Sequence, residues 1–462
     1  VSGIAERIRR ARTGDPGGFD RRLVAPMILG TILNPINSSM LAVALVPIGH
    51  AFGVPPSQTA WLVSGLYLAT AVGQPVIGRL VDAFGPRPLY LIGTALVGAA
   101  GLLGTLAPSL WVLVLSRVLL GFGTSAAYPA SMSLLRTESE RTGLRSPSGI
   151  LAALTASGQV IAVVGPTLGG VLIGLGSWHL IFAINVPLSL ICLFLGFRRL
   201  PKGAPKGAPG RTDVPGMLLF AAALTAFMLF LMEPGLAHWY LPALGVAAGA
   251  WFVRREHGTA EPFIDLHVLR GNRPLLATYG RQLLAYTTSY AFLYGYGQWL
   301  QEGRGLSASQ AGLLLLPMSA MGVAVTVLTG RRREVRGKLA VGAVVQLVGC
   351  VALLPLGADS PVWLLAVVGL LFGVPQGLIG LANQNALYAQ ADPARMGSSS
   401  GLLRTFTYLG ALLASAANAA FFRDGATSAG LHSMAWMLIG VAALCLAASV
   451  ADRSLARVGR DI

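Results

Sequence analysis

Apolar runs recur from one end of this chain to the other, each close to the length that crosses a ~30 Å hydrocarbon layer as a helix of about 20 residues. They lie near 24–49, 57–79, 88–107, 110–135, 148–175, 180–197, 215–232, 239–253, 275–299, 309–329, 339–356, 361–387, 397–421 and 431–450. Lipid offers no partner to a backbone amide, so runs of this length must satisfy their own hydrogen bonds as helices. With 54% hydrophobic and 11% charged residues, the 462-residue chain is far more apolar than a soluble protein of its size. An all-α integral membrane protein of fourteen spans is therefore expected. Residues 1–22 are polar and basic without an apolar core, so no cleavable leader is expected in them.

The formal net charge is +16, which by itself would suggest nucleic acid. Its distribution argues against that. "ERIRRAR", "RRLPKGAPKGAPGR", "FVRREH" and "GRRREVRGK" all fall on one side if the spans alternate, leaving only Arg304 and Arg423 on the other. This is the positive-inside bias, which predicts both termini in the cytoplasm and attraction to anionic lipid. Arg117 and Arg404 are the arginines read within spans. Cys192, Cys350 and Cys445 are isolated, each in a span, which excludes a disulfide framework or a cysteine metal cluster.

The chain also repeats itself at an offset of 252 residues, as Ser57-Gln58 against Ser309-Gln310 shows. At the same offset Gly78, Asp82 and Gly85 meet Gly330, Glu334 and Gly337, Trp111 meets Trp363, "SPSGIL" meets "SSSGLL", and Gly158 meets Gly410. One ungapped offset over about a hundred residues points to duplication. The expected organisation is a polar segment 1–22, a six-helix half 23–198, a linker 199–272 with two inserted helices, a second six-helix half 273–451, and a tail 452–462. Parallel six-helix halves suit a transporter rocking about a central site.

Several motifs carry a family resemblance across nearly the whole chain. "GRLVDAFGPRP" holds Gly78, Asp82, Gly85 and Arg87; "RVLLGFG" holds Arg117, Gly121 and Gly123. "VGPTLGGVL" holds Gly165, Pro166, Gly169 and Gly170, and "SWHLIFAINVP" holds Trp178, Phe182, Asn185 and Pro187. With "LSASQAGLLLLP", these resemble the major facilitator superfamily, specifically its fourteen-span drug:proton antiporters. The resemblance implies the major facilitator fold and multidrug-type efflux by alternating access. It also implies gating roles for Gly78, Asp82, Gly85, Arg87, Arg117, Gly165, Pro166, Gly169 and Gly170, with the acid of the loop after span 2 pairing with basic groups and helix ends. Pro166 lacks a backbone donor and is expected to kink span 5, while small residues one turn apart let helices approach closely.

The chain departs from the family where coupling acids are usual. In "LNPINSSMLAVALVPI", Asn37, or Asn34 in another alignment, stands in the place of an aspartate, and asparagine does not titrate. No carboxylate or imidazole is read deep in a span, where proton relays normally need one; Glu233, at the end of span 7, is the nearest candidate. Arg404, in "GLLRTFTYLG", has Ala152 as its repeat partner, so the fold does not demand it. It either reaches toward the membrane surface, bonding carbonyls or the asparagines of "ANQNALY", or faces the centre to bind an anionic group. Tyr286, Tyr290 and Tyr294 form one helical stripe, either a ligand face or an interfacial belt, and the belt suits Tyr296.

The candidate substrate-binding residues are Arg404, Asn34, Asn37, Tyr286, Tyr290, Tyr294 and Tyr408. The expected partners are a small-molecule substrate, membrane lipids and, if transport is coupled, protons; a monomer with no cofactor, no metal, no nucleic acid and no enzymatic activity is expected. Three functions are compatible with these residues: a proton-driven exporter, a proton-independent facilitator or exchanger of an anionic compound, and a membrane sensor or assembly factor that no longer transports. The third leaves the retained gate motifs unexplained.

Overall fold

A computed structural model describes residues 19–41, 44–54, 56–142, 148–202, 213–232, 235–259, 262–264, 266, 271–306, 308–330, 332, 334–422, 425–456 and 458. Among them the regular structure is entirely helical, and joining consecutive pieces gives fourteen rods. In the first half, α1 is Val24–Leu41, with Leu45–Phe52 beyond a break, α2 is Pro56–Phe84 and α3 is Pro86–Thr105. Then α4 is Leu110–Thr124 continued by Ala127–Thr142, α5 is Ser148–Leu175, and α6 is His179–Ala183 continued by Asn185–Arg199. The inserted pair is α7, Val214–Met232, and α8, Tyr240–Gly258. In the second half, α9 is Arg273–Ala291 continued by a π turn, Phe292–Tyr296, and by Gly297–Glu302. The remaining rods are α10, Ala308–Gly330; α11, Val335–Val351; α12, Val362–Gln390; α13, Met396–Phe421; and α14, Ser428–Ala451.

Among the described residues, nine helices are long and apolar enough to cross a membrane by length and composition. The others include α11, which has 17 residues, and α9 and α13, which carry Arg281 and Arg404. Irregularities fall where tertiary contacts compete with the helix ladder. The break in α4 is held by Ser125, whose hydroxyl donates to Gly121 O at 2.7 Å and to Thr70 O of α2 at 3.4 Å. Prolines inside α1, α2, α10 and α12 (Pro35, Pro75, Pro317 and Pro375) each remove one ladder bond.

The packing of the halves is lopsided. We call the end carrying the Arg/Lys clusters the basic face and the other the far face. A single hydrophobic cluster at the basic face draws on both halves, joining Leu134 and Leu135 of α4 and Leu151 of α5 to Leu387 and Tyr388 of α12 and Leu402 of α13. Toward the far face the core divides. One cluster belongs to the first half, around Met40, Leu62 and Phe182; another belongs to the second, around Phe292, Trp299 and Phe372. At the far ends of α5 and α10, Gly170, Gly174 and Gly312 have open space where a Cβ would stand. The described arrangement thus has a core shared by the halves at the basic face and separate cores toward the far one.

The inserted pair lies against the seam between the halves. Met228 of α7 packs with Ala71 of α2 and with Tyr408 and Leu412 of α13. Lower down, Met217, Phe252 and Phe263 cover Val76 and Leu80 of α2. Leu244, Val246 and Trp251 of α8 face outward, as lipid-facing side chains should.

Candidate substrate cavity and gate

The centre of the bundle is a tyrosine-rich space with one arginine at its side. On α9 the four-residue spacing sets Tyr286 tilted against Tyr290 at 5.9 Å between ring centroids and stacks Tyr290 on Tyr294 at 5.8 Å. Tyr408 of α13 meets Tyr67 of α2 at 5.7 Å, and its hydroxyl donates to Asn34 Oδ1 at 3.3 Å. Asn34 Nδ2 in turn donates to Thr124 Oγ1 at 2.9 Å and Thr70 Oγ1 at 3.3 Å. The guanidinium of Arg404 lies 4.1 Å over the Tyr128 ring of α4, a cation–π contact between the halves. It does not bond Asn383 of α12, whose Oδ1, the atom that would accept from a guanidinium, is buried without a partner while its Nδ2 donates to Gln282 Oε1. Beside the tyrosines a cavity of about 140 Å³ opens between α9, α10 and α12, lined by Tyr286, Ser289, Tyr290, Met318, Gln376 and Gly380. That volume is on the scale of one aromatic ring.

No carboxylate balances Arg404 among the described residues; Glu140, Glu138, Asp213 and Asp452 instead pair with Arg136, Arg141, Arg255 and Arg281. Glu233 lies outside the described residues.

Three readings of the sequence need correction. Asn37 does not face the cavity. It is fully buried and exchanges side-chain hydrogen bonds with Asn185 of α6 at 2.6 and 2.8 Å, so its amide already has its partners. Arg117 and Arg404 are not the only arginines inside spans. Arg281 of α9 is fully buried, donates to Asp452 at 2.7 Å and to Thr278 Oγ1 at 2.7 Å, and so ties the chain after α14 to α9. Tyr296 is no belt residue, because it is buried in the second half's core with its hydroxyl on Leu365 O at 3.0 Å.

The motif residues occupy the seams. Arg117 is buried, donating from Nε to Leu62 O at 3.1 Å and from Nη2 to Asn37 O at 3.3 Å, which gives its charge carbonyl partners instead of an acid. Asp82 accepts from Gly397 N at 2.7 Å, Ser398 N at 2.8 Å and Ser398 Oγ at 2.5 Å. The acid of the first half therefore caps the N-terminus of α13 in the second, where a helix dipole favours an anion. Gly78 makes this approach possible, since a Cβ there would collide with the carbonyl of Gly397. Gly85 turns the chain into α3 with φ +87°. Arg87 does not join the acid; its Nη2 donates to Phe197 O at the end of α6 at 3.0 Å. In α5, Gly165 and Gly169 are buried, and a Cβ on Gly165 would strike Ser39 of α1. Gly170 meets open space, and the Pro166 side chain lies outside what the structure describes.

Amide and hydroxyl groups inside the apolar runs, which the sequence reading passed over, also cross between halves. Gln159 of α5 accepts from Thr326 of α10 at 3.1 Å and donates to Gln376 O of α12 at 3.3 Å; Thr155 donates to Gln384 Oε1 at 3.1 Å. Their presence within otherwise apolar spans was the available signal.

The Major Facilitator Superfamily profile matches residues 27–415. The chain belongs to this family. It is 33% identical over 90% of its length, and 94% of the relative's, to the MFS-type transporter YwoD of Bacillus subtilis. It is 33% identical to the lincomycin resistance protein of Streptomyces lincolnensis, covering 89% of this chain and 86% of that one. Among solved structures, the human organic anion transporter MFSD10 superposes with a TM-score of 0.66 at 16% identity, over 93% of this chain and 99% of the other. That likeness concerns the fold. The chain is a multi-pass transporter of the major facilitator type rather than an enzyme, and drug-resistance proteins are among its relatives.

Proposed function

We propose that this protein exports an amphipathic small molecule across the cytoplasmic membrane by alternating access, with the basic face and both termini cytoplasmic. Residues 23–198 and 273–451 act as the rocking halves, flanked by the terminal segments 1–22 and 452–462 and joined by the 199–272 linker. The observation that carries this reading is the tyrosine-lined centre between halves whose cores merge at one face and divide at the other. Tyr286, Tyr290, Tyr294 and Tyr408 supply apolar area with polar handles, and Asn34 adds an amide, a mixture that suits a ligand both flat and polar. Arg404 sets charge preference. Asp82, Gly78 and Gly85 latch the cytoplasmic side, while Arg117, Arg87 and the Gly165–Gly170 stretch hold and bend the helices around it. Kinship to resistance proteins supports a drug or metabolite as cargo.

A second reading is favoured by Arg404 itself. A cation without a carboxylate among the described residues attracts an anionic compound, and the described residues of the centre include no acid to take a coupling proton. Uptake of anionic, neutral and cationic amphiphilic dyes into proteoliposomes, with and without an imposed pH gradient, tests both readings. Export coupled to protons gives gradient-driven accumulation. The exchanger gives equilibration strongest for anions and indifferent to the gradient. Absence of movement for every dye class contradicts both.

A further inference from the structure

The inserted hairpin carries a buried acid pair that the transport reading leaves unused. Asp213, just before α7, and Glu256, in the last turn of α8, are 5% and 2% exposed. Asp213 Oδ1 accepts from Arg255 Nε at 3.1 Å, Arg255 Nη2 at 2.9 Å and Gly216 N at 3.1 Å. Glu256 Oε2 accepts the backbone amide of Ile264 at 2.9 Å. Each acid is left with one buried, unpartnered oxygen, Asp213 Oδ2 and Glu256 Oε1. The two converge on Gly216, where an added Cβ would collide with both.

Two carboxylate oxygens facing each other away from water cannot both stay charged at low cost; one proton between them removes the repulsion and supplies the missing bond. Among the described residues, the charged groups facing Glu256 are Asp213 and Arg255. The elements packed around the pair present apolar side chains: Met217 and Phe220 from α7, Phe252 from α8, Phe263 and Ile264 from the following segment, and Val76 and Leu80 from α2. Glu256 lies past the membrane-crossing part of α8, and burial, reinforced by the charge of Asp213, pushes its carboxyl up to about 7. Asp213, despite burial, is held below the usual aspartate range by Arg255 and the Gly216 amide.

We propose that Asp213 and Glu256 share one proton, forming a proton-binding site at the base of the hairpin that fastens the 262–264 segment beside the gate. The link to the gate is direct. Phe263 and Ile264 line a small cavity with Pro75 of α2 and with Ser398, the residue that bonds Asp82. With the proton in place, Asp213 and Glu256 stay together without repulsion, and the segment, bonded to Glu256 through Ile264, supports the closed latch. The Ile264 bond itself favours the carboxylate, so it is repulsion between the two acids that loosens the base of the hairpin when the proton leaves. Because the folded-state value is raised, this support is full at acid pH and is lost as pH rises through about 7. The site does not depend on what the central cavity carries.

Infrared difference titration of the full-length protein in an ester-free detergent, from about pH 5 to about pH 9, tests the proposal, because a carboxyl side chain gives a C=O stretch above the amide band only when it is protonated. The expected result is a carboxyl band with a midpoint of about 7 that is absent from Glu256→Gln. In Asp213→Asn the midpoint should fall to more acid pH, because the neighbouring anion is gone. A band with a midpoint of about 7 that persists in Glu256→Gln, no band with that midpoint in the wild type, or an unmoved midpoint in Asp213→Asn overturns the shared proton, whereas a band with a midpoint of about 6 that survives Glu256→Gln belongs to Asp82. If the variants do not fold, hydrogen exchange on the wild type decides. After correction for intrinsic rates, protection at Ile264 should drop about tenfold or more as pH passes neutrality, and constant protection contradicts the proposal.

Discussion

Asn37 and Asn185 show how a single residue type changes its meaning with context. An aspartate at Asn37 would bring a charge into a site that has Arg117 close by; the asparagine instead closes a neutral pair with Asn185, and Arg117 takes only the backbone carbonyl. Truncating Asn37→Ala strands Asn185 Oδ1 in a dry interior, while its Nδ2 keeps Ile181 O and Phe182 O, at a cost of about 1–3 kcal/mol. A lower melting temperature of the purified variant in detergent is the expected outcome, and an unchanged one would count against the pair. The absence of titratable groups at Asn34 and Asn37 was legible from residue identity, but the pairing was not, because its partners lie 148 positions apart. The tyrosine stripe was legible because it needs only helical spacing. Arg281 itself was legible, since it lies inside the run 275–299, but its pairing was not, because Asp452 sits beyond the last span.

Among the elements, the end of α2 and the start of α13 carry the gate. Three donors on Asp82 and a glycine–glycine approach hold these helices together at the basic face. Asp82→Asn exchanges charge-assisted bonds for ordinary ones and turns an anion at a helix N-terminus into a dipole, a loss of about 2 kcal/mol. That moves a two-state equilibrium roughly thirtyfold toward the form open at the basic face. Spin labels at Val171→Cys and Leu313→Cys, on the far ends of α5 and α10, should report a shorter distance in Asp82→Asn than in Asp82; identical distributions would deny the latch its role. The number and placement of the helices were readable because membrane thickness fixes span length. The break in α4 and the π turn in α9 were not, because side chains of neighbouring helices decide where a ladder yields, as Ser125 does by bonding α2.

For the molecule as a whole, the repeat explains two similar halves and the packing gives them unequal ends, one shared core at the basic face and two separate cores beyond it. A carrier of this family needs its centre reachable from one side at a time, and the binding energy of cargo must favour the passage between states. Arg404 links that requirement to chemistry, because a guanidinium stacked on Tyr128 still has N–H groups to offer a carboxylate or phosphate. A charge-assisted bond of this kind is worth about 1.5–3 kcal/mol, or roughly 10- to 150-fold in affinity. The most direct measurement is counterflow in proteoliposomes of a matched anionic and neutral amphiphile, comparing the wild type with Arg404→Ala. The account predicts saturable movement of both by the wild type, with Arg404→Ala losing at least tenfold in apparent affinity for the anion and little for the neutral compound. Equal retention of the anion by the variant would contradict the role of Arg404, and absence of counterflow in the wild type would contradict the central cavity as a transport site.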